Sequence, residues 1–93
     1  MVTTVTIQDL TAASKVIDIR ATCEYVVGHL HGAVNIPYEV LMMYPETYLK
    51  RDEVYYLICA HGSLSQRACA ILQSYGYDVA NIKNGYDFRC YCW

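Results

Sequence analysis

Apolar runs alternate with polar, helix-patterned stretches along the whole chain. The most continuous run is Val54 to Cys59, which carries no charged residue. A run of that length between polar neighbours predicts a central strand covered on both faces. Thr3 to Val5, Lys15 to Ile19, Ala33 to Ile36 and Val79 to Ile82 are shorter segments with β-branched residues, and they predict four further strands.

Between these runs lie the helix signals. Thr6-Ile7-Gln8-Asp9 resembles a capping box with Asp in place of Glu and predicts a short helix over Ile7 to Ala13. Thr22 is a candidate cap for a helix from Cys23 to Val27, which Gly28 stops. Tyr38 to Met43 has one apolar side and ends before Pro45, with Glu46 to Glu53 as a polar connection. Gln66 to Tyr75 places Ala68, Ile71, Leu72 and Tyr75 on one face, and Gly76 ends it. Strands alternating with helices in a short chain predict an α/β domain, a small and mostly parallel sheet with helices on both faces.

Composition narrows the picture. The 93 residues allow one domain, spanning 1–93, with one core. A net charge of -2 with seven scattered Lys and Arg forms no basic stripe, so no nucleic-acid partner is expected. No apolar run approaches the ~18 residues of a membrane helix, so no membrane partner is expected either. The start, Met1-Val2-Thr3-Thr4-Val5, lacks the pattern of a signal peptide, and the expected location is the cytoplasm. Five Cys, at 23, 59, 69, 90 and 92, is an odd count that does not resemble a secreted disulfide framework, so free thiols are expected.

One of those thiols stands apart. Cys59 ends the central apolar run and precedes the polar segment Ala60-His61-Gly62-Ser63-Leu64-Ser65, after which the helix pattern begins. A Cys between a strand end and a helix N-terminus lies where backbone N–H groups converge and the helix dipole favours negative charge. From Val54 to Tyr77 there is no Asp or Glu, and the only formal charge is Arg67. In parallel sheets the ligand site lies beyond the carboxyl ends of the strands, where Cys59 falls.

Two segments together resemble the rhodanese family of sulfurtransferases. Asp18-Ile19-Arg20, Glu24-Tyr25, Gly28-His29-Leu30 and Gly32-Ala33-Val34-Asn35-Ile36-Pro37 are similar to the family's long first signature. Cys59 to Ser65 is similar to its C-x-x-G-x-x-S active-site loop, and Gly76-Tyr77 through Gly85-Tyr86 resembles its last strand and turn. The resemblance implies a five-stranded parallel sheet and ping-pong transfer of a sulfane sulfur through a Cys59 persulfide. The donor would be thiosulfate or a small-molecule or protein persulfide, and the acceptor cyanide or a thiol. Backbone N–H groups of Ala60, His61, Gly62, Ser63, Leu64 and Ser65 would hold the anionic sulfur, and no metal or organic cofactor is implied. Gly62 can take up positive φ if the curl requires it, and Ser63 or Ser65 can cap the helix.

The chain also departs from the family. Many relatives carry Arg or Lys at the second or sixth loop position, where this chain has Ala60 and Leu64. The loop is therefore expected to hold its anion mainly through the backbone, with His61 as a source of partial positive charge. The phosphatases of this fold place an Arg six residues after the nucleophile. That position here is Ser65, which argues against phosphate or arsenate chemistry. The rival of another class is a catalytically weak or inactive module for partner binding or for redox or persulfide sensing, as part of or partner to a larger sulfur-handling protein.

Other residues carry blander readings. His29-x-His31 and Cys90-x-Cys92 lack zinc-ligand spacing, and His29 is expected to make a structural hydrogen bond. Cys90 or Cys92 as a partner that resolves a Cys59 persulfide is a secondary reading beside simple packing or exposure. Asp18 and Arg20 are weighted toward structure over catalysis. The Tyr55-Tyr56 and Tyr75 to Tyr77 patches read as packing.

Overall fold

A computed structural model describes residues 2–86 of the chain. Five parallel strands form one sheet: β1 (Thr4–Val5), β2 (Val16–Asp18), β3 (Val34–Asn35), β4 (Val54–Ile58) and β5 (Asp78–Ile82), in the order β1-β5-β4-β2-β3. Four α-helices connect them: α1 (Thr22–Val27), α2 (Tyr38–Met43), α3 (Pro45–Tyr48) and α4 (Ser63–Ser74). The expected five-stranded parallel sheet with flanking helices is the architecture observed.

The apolar run at Val54 forms the middle strand because it can bury both faces. Tyr55, Leu57 and Cys59 pack on one side with Ile17, Ile19, Val79, Leu41 and the α4 residues Ala68, Cys69 and Leu72. Ile58 packs on the other with Val16, Ala33 and Ile82, beneath Leu10, Tyr25 and Leu30. The alternation is the two-residue period of a strand applied to two cores. Parallel register fixes the neighbours: Ile17 lies beside Leu57 and Asp18 beside Ile58 on β2, and Leu57 lies beside Asn81 on β5.

Several local expectations are corrected. The helix predicted over Ile7 to Ala13 is only a 3-10 turn at Ile7–Asp9. The Asp9 carboxylate accepts from Thr6 N–H at 2.8 Å, and Ser14 Oγ accepts from Thr11 N–H at 2.8 Å. Short polar side chains thus supply local bonds in place of helical ones. Those same Thr6 bonds, first from its backbone and then from its hydroxyl, lower the Asp9 pKa.

Thr22 does not cap α1. The N-cap is Ala21, and the Thr22 hydroxyl instead donates to Asn35 Oδ1 at 2.9 Å, tying α1 to β3. The connection Glu46 to Glu53 is not all irregular: a helical turn, α3, starts at Pro45 and runs into it as far as Tyr48. Proline's fixed φ suits that position, and Leu49 N–H closes the turn on Pro45 O at 2.8 Å. Helix α4 starts at Ser63, before the expected Gln66, and its buried face is Ser65, Ala68, Cys69 and Leu72. Ile71 is half-buried and Tyr75 exposed, so the apolar face is turned from the one read in the sequence. Among the described residues no helix is long and apolar enough to cross a membrane.

Candidate active site

The carboxyl edge of the sheet gathers Asp18, Asn35, Cys59 and Asn81 from four different strands or their ends. Cys59 is the first residue beyond β4 and is 2% exposed. The chain then curls so that two backbone donors meet its sulfur: Gly62 N–H at 3.1 Å and Ser65 N–H at 3.3 Å. The turn needs Gly62, whose φ is +92° and whose Cβ position would lie 2.9 Å from Asn84 N. Gly62 is also the N-cap of α4, so the 12-residue helix directs its N-terminus toward Sγ. Both features favour the anionic form of the sulfur.

Ser65 completes the cradle from below. Its Oγ is fully buried, lies 3.4 Å from Cys59 Sγ and 3.2 Å from Gly62 O, and bonds to Asn81 Oδ1. The serine is therefore not a helix cap, since its hydroxyl donates to oxygen and accepts from the thiol instead of binding free helix N–H groups. Ser63 makes no cap either: it is exposed at the start of α4. Asn81 escaped the sequence reading because it comes from β5, sixteen residues beyond Ser65. A buried amide in an apolar strand was the only signal that could have found it.

A cavity of about 220 Å³ opens onto the sulfur, lined by Ile19, Arg20, Ala21, Glu24, Tyr38, Glu39, Cys59, Ala60, His61, Ser63 and Leu64. Of the loop residues expected to bind substrate, Ala60, His61, Ser63 and Leu64 line this space. Gly62 and Ser65 are buried behind it and reach the sulfur through their N–H groups. Arg67 is exposed and lines none of it. A larger groove of about 420 Å³, lined by Thr11, Lys15 and Glu53 among others, lies at the opposite ends of β2 and β4 and contains no cysteine.

The loop is locked from outside. Tyr86 N–H donates to Cys59 O at 3.1 Å and Ala60 O at 3.0 Å, while Gly85 presses so close that a Cβ there would lie 1.9 Å from Cys59 O. The Tyr86 hydroxyl donates to Asp18 Oδ2 at 3.0 Å and accepts from Leu30 N–H at 2.8 Å. Burial raises the Tyr86 pKa and keeps that hydroxyl protonated. The fully buried Asp18 carboxylate also accepts from Arg20 N–H at 2.9 Å and from the Arg20 guanidinium at 2.9–3.2 Å.

Arg20 in turn donates to Gly28 O at 2.7 Å and lies 4.0 Å above the Tyr86 ring. Burial works against its charge, but the Asp18 bonds outweigh that and raise its pKa. These contacts match the structural reading of Asp18 and Arg20. His29 makes the expected bond, Nδ1 to Tyr25 O at 2.8 Å, and stacks on the Tyr25 ring.

Cys23 and Cys69 are free like Cys59. Cys69 is fully buried, and burial, reinforced by the neighbouring Cys59, pushes its thiol up to about 12. Cys90 and Cys92 lie outside the described residues. Among the described residues no three His, Cys, Asp or Glu side chains are grouped to hold a metal ion.

A cysteine held under two backbone donors at the carboxyl edge of a five-stranded parallel sheet defines a class of thiol-centred α/β domains. Within that class the profile of the Rhodanese-like domain matches residues 4–87, and the chain belongs to that family, which is related to sulfurtransferases. It is similar to Protein HIGH ARSENIC CONTENT 1 of Arabidopsis thaliana, 33% identical over 83% of this chain and 53% of that protein. It is also similar to the adenylyltransferase and sulfurtransferase uba4 of Ogataea parapolymorpha, 33% identical over 80% of this chain and 20% of that protein. The chain thus spans about half or less of these two relatives. Among solved structures, a rhodanese-related protein from Thermoplasma volcanium superposes with a TM-score of 0.73, at 32% identity over 81% of this chain and 74% of that one.

Proposed function

We propose that the chain transfers sulfane sulfur through a persulfide on Cys59. The observation that carries the reading is the pair of N–H groups, from Gly62 and Ser65, on a sulfur that faces a 220 Å³ cavity. In the first half-reaction the Cys59 thiolate attacks the outer sulfur of the donor. A new S–S bond forms at Cys59, and the donor's own S–S bond breaks with its electron pair leaving on sulfite or on a thiolate. In the second, an acceptor such as cyanide or a thiolate attacks that outer sulfur, and Cys59 leaves as thiolate again. Each step conserves charge and needs no external oxidant.

The cradle serves both ends of this cycle. Gly62 and Ser65 N–H groups are directed at Sγ, so they stabilise it as nucleophile and as leaving group without reorganising. A half-turn of the Asn81 amide would present its NH₂ to Ser65 Oγ and release the serine proton to the sulfur, giving a third donor when charge is on Cys59. The sulfurtransferase name of one relative supports the same chemistry.

Intact mass after exposure to thiosulfate or cysteine persulfide provides the test. One added sulfur, removed by cyanide and absent in Cys59→Ser with an unchanged circular dichroism spectrum, is the expected result. Turnover retained in Cys59→Ser would overturn the proposal.

A further inference from the structure

We infer that the donor is a persulfide on a neutral or cationic carrier, and that Glu24 and Glu39 select against thiosulfate. The inference rests on the sulfur-transfer reading of Cys59 and adds a substrate class to it. Its basis is the charge around the cavity.

The loop supplies no formal cation, because Ala60 and Leu64 occupy the positions where one would be useful. Among the described residues the one Arg lining the cavity is Arg20. Its guanidinium is engaged by Asp18, Gly28 O and the Tyr86 ring, and its side chain is only 12% exposed. Glu24 on α1 and Glu39 on α2 line the same cavity, and both are exposed. Glu24 is near enough to Arg20 to add to the stabilisation of its charge. Among the described residues one arginine thus stands among three carboxylates, Asp18, Glu24 and Glu39, so the side chains around the cavity oppose a dianion entering beside Cys59.

Thiosulfate carries two negative charges and must place its sulfonate in the cavity while its outer sulfur reaches Sγ. A persulfide brings one negative charge at most to the reacting end, against two for thiosulfate, and reacts here as its protonated form R–S–S–H. Attack by Cys59–S⁻ on its outer sulfur gives Cys59–S–S–H and R–S⁻, with the proton kept on the transferred sulfur. The leaving thiolate emerges past Glu24 and Glu39, so a carrier with Lys or Arg near its thiol is favoured at both binding and departure. The buried and exposed parts of the site then have separate tasks: backbone N–H groups for the sulfur, carboxylates for the carrier.

The experiment is single-turnover formation of the Cys59 persulfide with thiosulfate and with cysteine persulfide, at about pH 8, where an ordinary imidazole is neutral. Wild type is compared with Glu24→Gln, Glu39→Gln and the double variant at low and high salt. The expected result is a preference for cysteine persulfide in wild type and a roughly tenfold rise in the thiosulfate-to-persulfide rate ratio in the double variant at low salt, shrinking as salt screens the carboxylates. Each single variant gives part of that rise and serves if the double variant does not fold. An unchanged ratio, or a wild type that prefers thiosulfate, overturns the inference while sulfur transfer stands. No added sulfur from either donor on folded wild type overturns both readings together.

Discussion

Asp18→Asn tests whether the charged knot behind the loop is structural. The wild-type carboxylate is fully buried and accepts from the Arg20 backbone N–H, from Arg20 Nε and Nη2, and from the Tyr86 hydroxyl. Asn keeps one acceptor oxygen, enough for the backbone and one further bond, but loses the charge. Arg20, with a side chain 12% exposed, is then left as an underpaired cation. Breaking one side of a buried pair costs about 3–5 kcal/mol, and the lower end applies here because Gly28 O and the Tyr86 ring still hold the guanidinium.

Against a total stability of roughly 5–14 kcal/mol for a chain of this size, about 3 kcal/mol is a large fraction. With a urea slope near 1–1.5 kcal/mol/M it lowers the unfolding midpoint by about 2–3 M. Urea titration followed by circular dichroism measures this directly. The double variant Asp18→Asn/Arg20→Met should lose less than the sum of the two single variants, because it removes both charges. A midpoint within about 0.3 M of wild type, or strict additivity in the cycle, would refute the argument that the pair locks the loop.

Two further outcomes follow from the same packing. Gly85→Ala places a methyl 1.9 Å from Cys59 O at φ +54°, so the last turn must move; a loss of about 3 kcal/mol and slower persulfide formation are expected, by urea titration and single-turnover kinetics. Cys69, with its thiol pushed up to about 12, is thiolate to roughly one part in ten thousand at about pH 8, so iodoacetamide should modify the exposed Cys23 in the native protein and reach Cys69 only in denaturant, as read by peptide mass.

The strands and the Cys loop were legible because their signals are local. Val54 to Cys59 could bury both faces only as a central strand, and Gly62 stands where the turn takes φ +92°. Helix boundaries were less legible where side chains compete with the backbone, as Asp9 and Ser14 do. The start of α4 was placed late because Ser63-Leu64-Ser65 looks polar and cap-like, whereas the bare glycine before it is the cap. Asn81, Gly85 and Glu39 belong to the site through tertiary approach alone, so no spacing along the chain announces them. The long Asp18 to Pro37 segment matched a family pattern, but its physical purpose, a carboxylate shared by Arg20 and Tyr86, shows only when Asp18 and Tyr86, 68 positions apart in the chain, are brought together.

The sheet order has a consequence for how the protein is made. β4 and Cys59 leave the ribosome before β5, one of the two strands that flank β4, and before the Gly85-Tyr86 turn that fastens the loop, and β1 must wait for β5, its only strand neighbour among the described residues. A nascent chain therefore has its thiol early but its fastened N–H cradle only once β5 and the turn after it have emerged. Until then Cys59 lacks the loop geometry that favours its anionic form, and that property belongs to the folded domain rather than to the local sequence.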